Sequence, residues 1–166
     1  MRILIFFLLS VVLSSGIMAQ SPEKLNEDRG FLKVNFDSTG TAYLGRVFKR
    51  GGKYPLKKYG FHGDSCRFEQ VDFETVVLEY YKDQLYTANF RVENKKKSAV
   101  LLEYFKARYG EGEAKNLGNT IFWITEDINL TYEYNPITDY ANFYFYSRIA
   151  KNRYESYQYD KKYGKK

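Results

Sequence analysis

A chain of 166 residues is long enough to bury a core without covalent staples, and its single cysteine excludes an intrachain disulfide. One histidine and one cysteine are too few for a closed zinc site of Cys and His ligands. The net charge of +6 is unevenly placed: residues 148–166 hold seven basic and two acidic side chains, whereas residues 3–147 hold eighteen of each, so the basicity belongs to the end of the chain.

The chain opens with Arg2, an apolar run from Ile3 to Val12, and the small residues Ser14, Ser15, Gly16 and Ala19. This order reads as a secretory signal peptide cut after Ala19, its apolar run being shorter than the roughly 20 residues a membrane span needs. The expected compartment is periplasmic or extracellular. Residues 20–148 are expected to form one domain.

Residues 21–29 are polar and are expected to be loose. From Phe31 to Phe36, Leu32, Val34 and Phe36 alternate with Lys33 and Asn35, which predicts a strand. Turn formers at residues 37–40 and an apolar-aromatic run at 41–48 predict its hairpin partner. Residues 54–65, with Pro55, Gly60 and Gly63, show no clean period and are expected to be a loop holding His62.

The centre of the chain is Phe73 to Gly110. Val76, Val77, Leu78, Tyr80 and Tyr81 suit a strand, Lys82-Asp83-Gln84 a loop of three or four residues, and Tyr86, Ala88, Phe90 and Val92 one face of a return strand. Thr87, Asn89 and Arg91 form its wet face. Leu101, Leu102, Phe105 and Tyr109 then recur at helical spacing, which predicts an amphipathic helix over about 98–109. Ser98 is preferred to Asn94 as its cap, because Lys95, Lys96 and Lys97 oppose the helix dipole. Gly110 ends it.

A connection at 111–119 leads to three strands: 121–125 with Trp123, then 128–134, then 140–147, with turns at 126–127 and 135–139. The expected fold is α+β, a mostly antiparallel sheet of about five to seven strands with one helix on one face. Trp123, Phe105, Leu102, Phe90 and Phe143 are expected to share its core. Residues 149–166 mix tyrosine with lysine and read as a loose tail. Deleting everything after Ala150 should then leave the Tm nearly unchanged.

Few residues commit to a chemistry. Gly63-Asp64-Ser65 resembles the nucleophile block of GDS-type esterases, but that chemistry needs a downstream histidine and His62 precedes the serine. His62 and Cys66 could meet only across a helical turn, which Gly63 disfavours. Carboxylates could serve a hydrolase without histidine, with Glu69, Asp72, Glu74 and Glu79 as candidates, although their spacing suits a wet strand face. No phosphate-binding glycine loop occurs.

The segments LEYYKDQLYTANFRVENKKKSAVLLEYFKARYG, IFWITEDINLTYEY and ANFYFYSR together resemble a recurring type of small exported bacterial domain. Its marks here are Tyr80-Tyr81, Leu85-Tyr86, Tyr109-Gly110 and Trp123, and the likeness spans about residues 70–148. It implies an α+β fold and an exported compartment, and no site residues.

Tyrosine joins an apolar ring to a polar tip, and Tyr80, Tyr86, Tyr132, Tyr144 and Tyr146 are expected to make an aromatic platform on the sheet. The expected function is that of a non-enzymatic exported binding or envelope-associated module. Its partner would be a protein or glycan of the envelope or exterior, without nucleic acid, metal or cofactor. The alternative is a carboxylate-dependent hydrolase acting on an envelope or extracellular polymer.

Overall fold

The computed structural model describes residues 21–32, 34–36, 47–62 and 67–164. The leader-like segment, most of the second strand expected in the first hairpin, the Gly63-Asp64-Ser65 block and Cys66 lie outside the described residues.

In chain order the elements are α1 (Glu23–Asp28), β1 (Gly30–Phe31), β2 (Val34–Asn35), β3 (Val47–Gly51), β4 (Leu56–His62), β5 (Arg67–Phe68) and β6 (Val71–Asp72). Then come β7 (Thr75–Tyr81), β8 (Gln84–Glu93), α2 (Lys95–Tyr109), β9 (Glu113–Lys115), a 3-10 turn at Asn116–Gly118, β10 (Thr120–Trp123), β11 (Ile128–Asn135), β12 (Tyr140–Ser147) and α3 (Arg148–Tyr163). Eight strands form one antiparallel sheet in the order β3-β4-β7-β8-β12-β11-β10-β9, and β1-β2 and β5-β6 are separate small hairpins. The α+β class with an antiparallel sheet therefore holds, with three helices instead of one and one strand more than the widest expectation.

Alternation along the strands builds the main core. Val76, Leu78 and Tyr80 of β7, Ala88 and Phe90 of β8, Leu130 and Tyr132 of β11, and Phe143 and Phe145 of β12 all turn to one face. Leu101, Phe105 and Tyr109 of α2 close over it, and Leu25 of α1 and Phe31 of β1 fill the remaining space. Trp123, Phe105, Phe90 and Phe143 share this core as expected, with Leu102 half-buried at its edge. Trp123 Nε1 donates to the Gly110 carbonyl at 2.7 Å, which ties the end of α2 to β10. Gly112 sits against the same ring at φ +72°, where a Cβ would stand 2.7 Å from Ile121 and 3.0 Å from Trp123. Only glycine fits that approach.

Several local expectations are corrected, each for a physical reason. Residues 31–36 do not run straight: Leu32 is exposed at φ +56°, and the chain folds back so that Phe31 pairs with Val34. Residues 56–62, expected to be a loop, form β4 between β3 and β7, because Tyr59 and Phe61 reach the core in register with Leu78 and Val76. The β7–β8 loop has two residues, Lys82 and Asp83, both at positive φ, and Asp83 is held by an ion pair with Lys57. Residues 113–115 form the edge strand β9.

The α2 cap is Asn94, whose side chain accepts from Lys97 N at 2.9 Å, and Ser98 is buried one turn later. Asp139, from the β11–β12 turn, accepts from Lys95 N at 3.1 Å through its carboxylate. That negative charge at the positive helix end offsets the three exposed lysines.

Helix α3 takes in most of residues 149–166, which read from composition as a loose tail. Ser147 caps it by accepting from Ala150 N, and Ala150, Tyr154 and Tyr157 pack on Tyr81 and Tyr86. These three sit at i, i+4 and i+7, so one apolar stripe meets the sheet face opposite α2. No helix among the described residues is long and apolar enough to cross a membrane.

Asp28 at the end of α1 accepts from both Arg108 and Tyr109 of α2, the Tyr109 hydroxyl at 2.8 Å. The Arg108 hydrogen bonds hold the Asp28 carboxyl below the usual carboxylate range, partly opposed by burial. A carboxylate whose pKa is lowered by folding stabilises the fold above its unfolded pKa of about 4, and that contribution is lost as pH falls through the folded value. Asp28→Asn is therefore expected to lower stability at pH 7 and to flatten the loss of stability below about pH 4. Urea melts across pH 2 to 7 check it, and parallel curves for the two proteins would refute the linkage.

Candidate functional site

The core-facing side chains of β7, β8, β11 and β12 leave their alternate residues on the opposite sheet face. There Thr75 of β7 lies in register with Arg91 of β8, Asn142 of β12 and Glu133 of β11. The adjacent row is Val77, Asn89, Tyr144 and Thr131, followed by Glu79, Thr87, Tyr146 and Asn129. Most of these residues are half-buried, as a sheet face bordered by long neighbours would be. Helices α1 and α2 contribute to the core on the other side, and α3 covers the end of this face around Tyr81 and Tyr86, with Lys151 reaching Tyr146.

The centre of the exposed part is Arg91. Its guanidinium lies over the Tyr140 ring, 3.8 Å from the ring centroid. Beside it the Asn89 amide donates to Asn142 Oδ1 at 3.3 Å. The Tyr144 hydroxyl has its pKa raised by burial first and by the Glu133 charge second, with Arg91 acting against both. Glu133 and Arg91 thus both act electrostatically on Tyr144, and the arrangement offers a cation, amides, hydroxyls and aromatic rings on one sheet face.

The five tyrosines expected to form a single platform occupy both faces. Tyr80 and Tyr132 belong to the main core, Tyr80 edge-on to Tyr59 and Tyr132 against Phe143. Tyr86 lies beneath α3, its hydroxyl donating to Glu79 at 3.0 Å, and its pKa is raised by burial and by Glu79. A bulge explains its position: Glu79 pairs with Thr87 but Tyr80 pairs with Leu85, so Tyr86 is the extra residue and turns away from Ala88 and Phe90. Tyr144 and Tyr146 remain on the polar face, where the Tyr146 hydroxyl accepts from Asn129 at 2.9 Å and Lys151 of α3 stands over its ring.

Among the carboxylates considered for hydrolysis, Glu79 pairs with Lys58 at 2.7 Å and Asp72 with Arg67 at 3.4 Å, while Glu69 and Glu74 are exposed. Among the described residues, no group of three His, Cys, Asp or Glu side chains is placed to hold a metal. A concavity of about 600 Å³ lies beside Gly110, Gly112, Phe122 and Ile124. It is largely apolar.

Arg91, Asn142 and Tyr140 were not among the residues singled out from the sequence. Their signal was the polar half of the β8 alternation, Thr87, Asn89 and Arg91, read against a neighbouring strand whose identity only the sheet order supplies. Comparison with protein-family models, with curated proteins and with solved structures finds no match for this chain.

Proposed function

We propose that this protein is an exported, non-catalytic binding module that presents the polar-aromatic sheet face around Arg91, Asn142 and Tyr144 to an envelope or extracellular partner. The supporting observation is the coexistence on one half-exposed face of a guanidinium stacked on Tyr140, two amides, and the Tyr144 and Tyr146 rings. Surfaces that combine aromatic area with directional hydrogen bonds suit recognition. The carboxylates considered for the alternative, a hydrolase, do not support it equally, because Glu79 and Asp72 already neutralise lysine and arginine partners.

The test is capture from solubilised envelope of the producing cell, with the wild-type protein against an Asn142→Ala, Tyr144→Ala double variant. A component retained by the wild type is expected to be lost from the variant while the Tm stays close to that of the wild type. Equal retention by the two proteins would place binding elsewhere.

A further inference from the structure

We infer that the Arg91 cluster is a subsite for the carboxylate of an acidic saccharide, an assignment that rests on the sheet face being the binding surface. The first ground is charge. Arg29 is paired with Asp127, Arg108 with Asp28, Lys57 with Asp83 and Lys58 with Glu79. Arg91 differs: among the described residues its guanidinium meets the Tyr140 ring and no carboxylate. A half-buried guanidinium lacking an anion is a ready partner for one, since charge-assisted hydrogen bonds are roughly twice as strong as neutral ones.

The second ground is confinement. The Arg91 Nε is shielded from solvent without a hydrogen-bond partner, and the same holds for the neighbouring Asn89 Oδ1. Leaving such groups unmatched is unfavourable, because each has given up its water without gaining a partner. The guanidinium is held against the Tyr140 ring, 3.8 Å from its centroid. Stacking on the ring fixes the plane of the guanidinium, so that its terminal N–H groups are oriented for a planar carboxylate.

The third ground is the surroundings. Asn142 and Thr75 pair with Arg91, Tyr144 and Thr131 lie in the next row, and all four can exchange hydrogen bonds with hydroxyls. Tyr140 and Tyr144 supply ring area for a sugar face. Glu133, one strand beyond Asn142, adds a negative charge that a dianionic phosphate would meet at greater cost than a single carboxylate.

The experiment is an NMR titration of the protein with tetragalacturonate, with a neutral galactose tetrasaccharide and inorganic phosphate as separate arms. Tetragalacturonate is expected to shift the amides of Asn89, Arg91, Asn142 and Tyr144. Arg91→Gln is expected to weaken it about tenfold or more, with Arg91→Lys in between. Unchanged wild-type spectra for residues outside the face in both variants would verify folding. Equal binding of the neutral sugar at these residues would overturn the carboxylate assignment and leave the sheet-face reading standing. Equal binding of phosphate would overturn the saccharide. Shifts confined to Lys161 and Lys162, or none with any probe, would overturn the subsite, and the absence of any response on the face would count against the sheet-face reading too.

Discussion

Phe105→Ala is expected to destabilise the protein by about 3–5 kcal/mol, the range for removing a fully buried aromatic ring. Phe105 has no exposed surface and stands at the meeting point of three layers. From α2 it touches Phe31 of the N-terminal hairpin at 5.0 Å between ring centroids, and Phe143 and Phe145 of β12 at 5.5 and 5.6 Å. Tyr104 and Tyr109 flank it on its own helix, the latter stacked at 5.8 Å. Truncation leaves a void lined by rings fixed in sheet and helix, which cannot collapse to fill it. Set against a typical total of about 5–15 kcal/mol, the loss is a large fraction. Leu102→Ala, one turn earlier and half-buried, is expected to cost less than half as much. Urea melts of the two variants check the ratio, and equal losses would mean that Phe105 is not the hub.

What the sequence disclosed depended on whether a segment's partners were local. The strands at 128–135 and 140–147 were legible because period-two alternation is a property of each strand alone. The stripe of α2 was legible for the same reason. Strand β4 was not, because its core side carries only Tyr59 and Phe61 after Lys57, too short an alternation to read alone, and only the neighbours β3 and β7 make the two rings a core pair. The α2 cap was misjudged because the carboxylate that offsets Lys95 to Lys97 comes from Asp139, more than forty residues away. Tyr86 was assigned to the wrong face because a bulge leaves no mark in the alternation. For the candidate site, the wet face of β8 was visible in Thr87, Asn89 and Arg91. The alignment of Arg91 with Asn142 followed only from β12 returning to lie beside β8.

Deleting the residues after Ala150 tests the helix that composition concealed. A loose tail predicts no change in Tm. The packing predicts otherwise: the Tyr154 ring lies 5.9 Å from that of Tyr81 and 5.1 Å from that of Tyr86, and Tyr157 is 5.6 Å from Tyr81. Arg153 also donates to Gln84 at 3.1 Å. Removing two half-buried tyrosines and uncovering two more is expected to cost about 2–3 kcal/mol, since full burial of a large side chain is worth about 1.5–3. For a domain of this size that corresponds to a fall of roughly 5–10 °C. The charge of the helix contributes little, because Lys161 and Lys162 are exposed and the Lys151–Glu155 pair is a long surface contact. The double variant Tyr154→Ser, Tyr157→Ser keeps every charge and should reproduce most of the fall. If the truncated protein melts with the full chain, α3 is not docked; if truncation alone lowers the Tm and the serine variant does not, the stabilisation lies in Arg153 and the helix backbone and not in the tyrosine stripe.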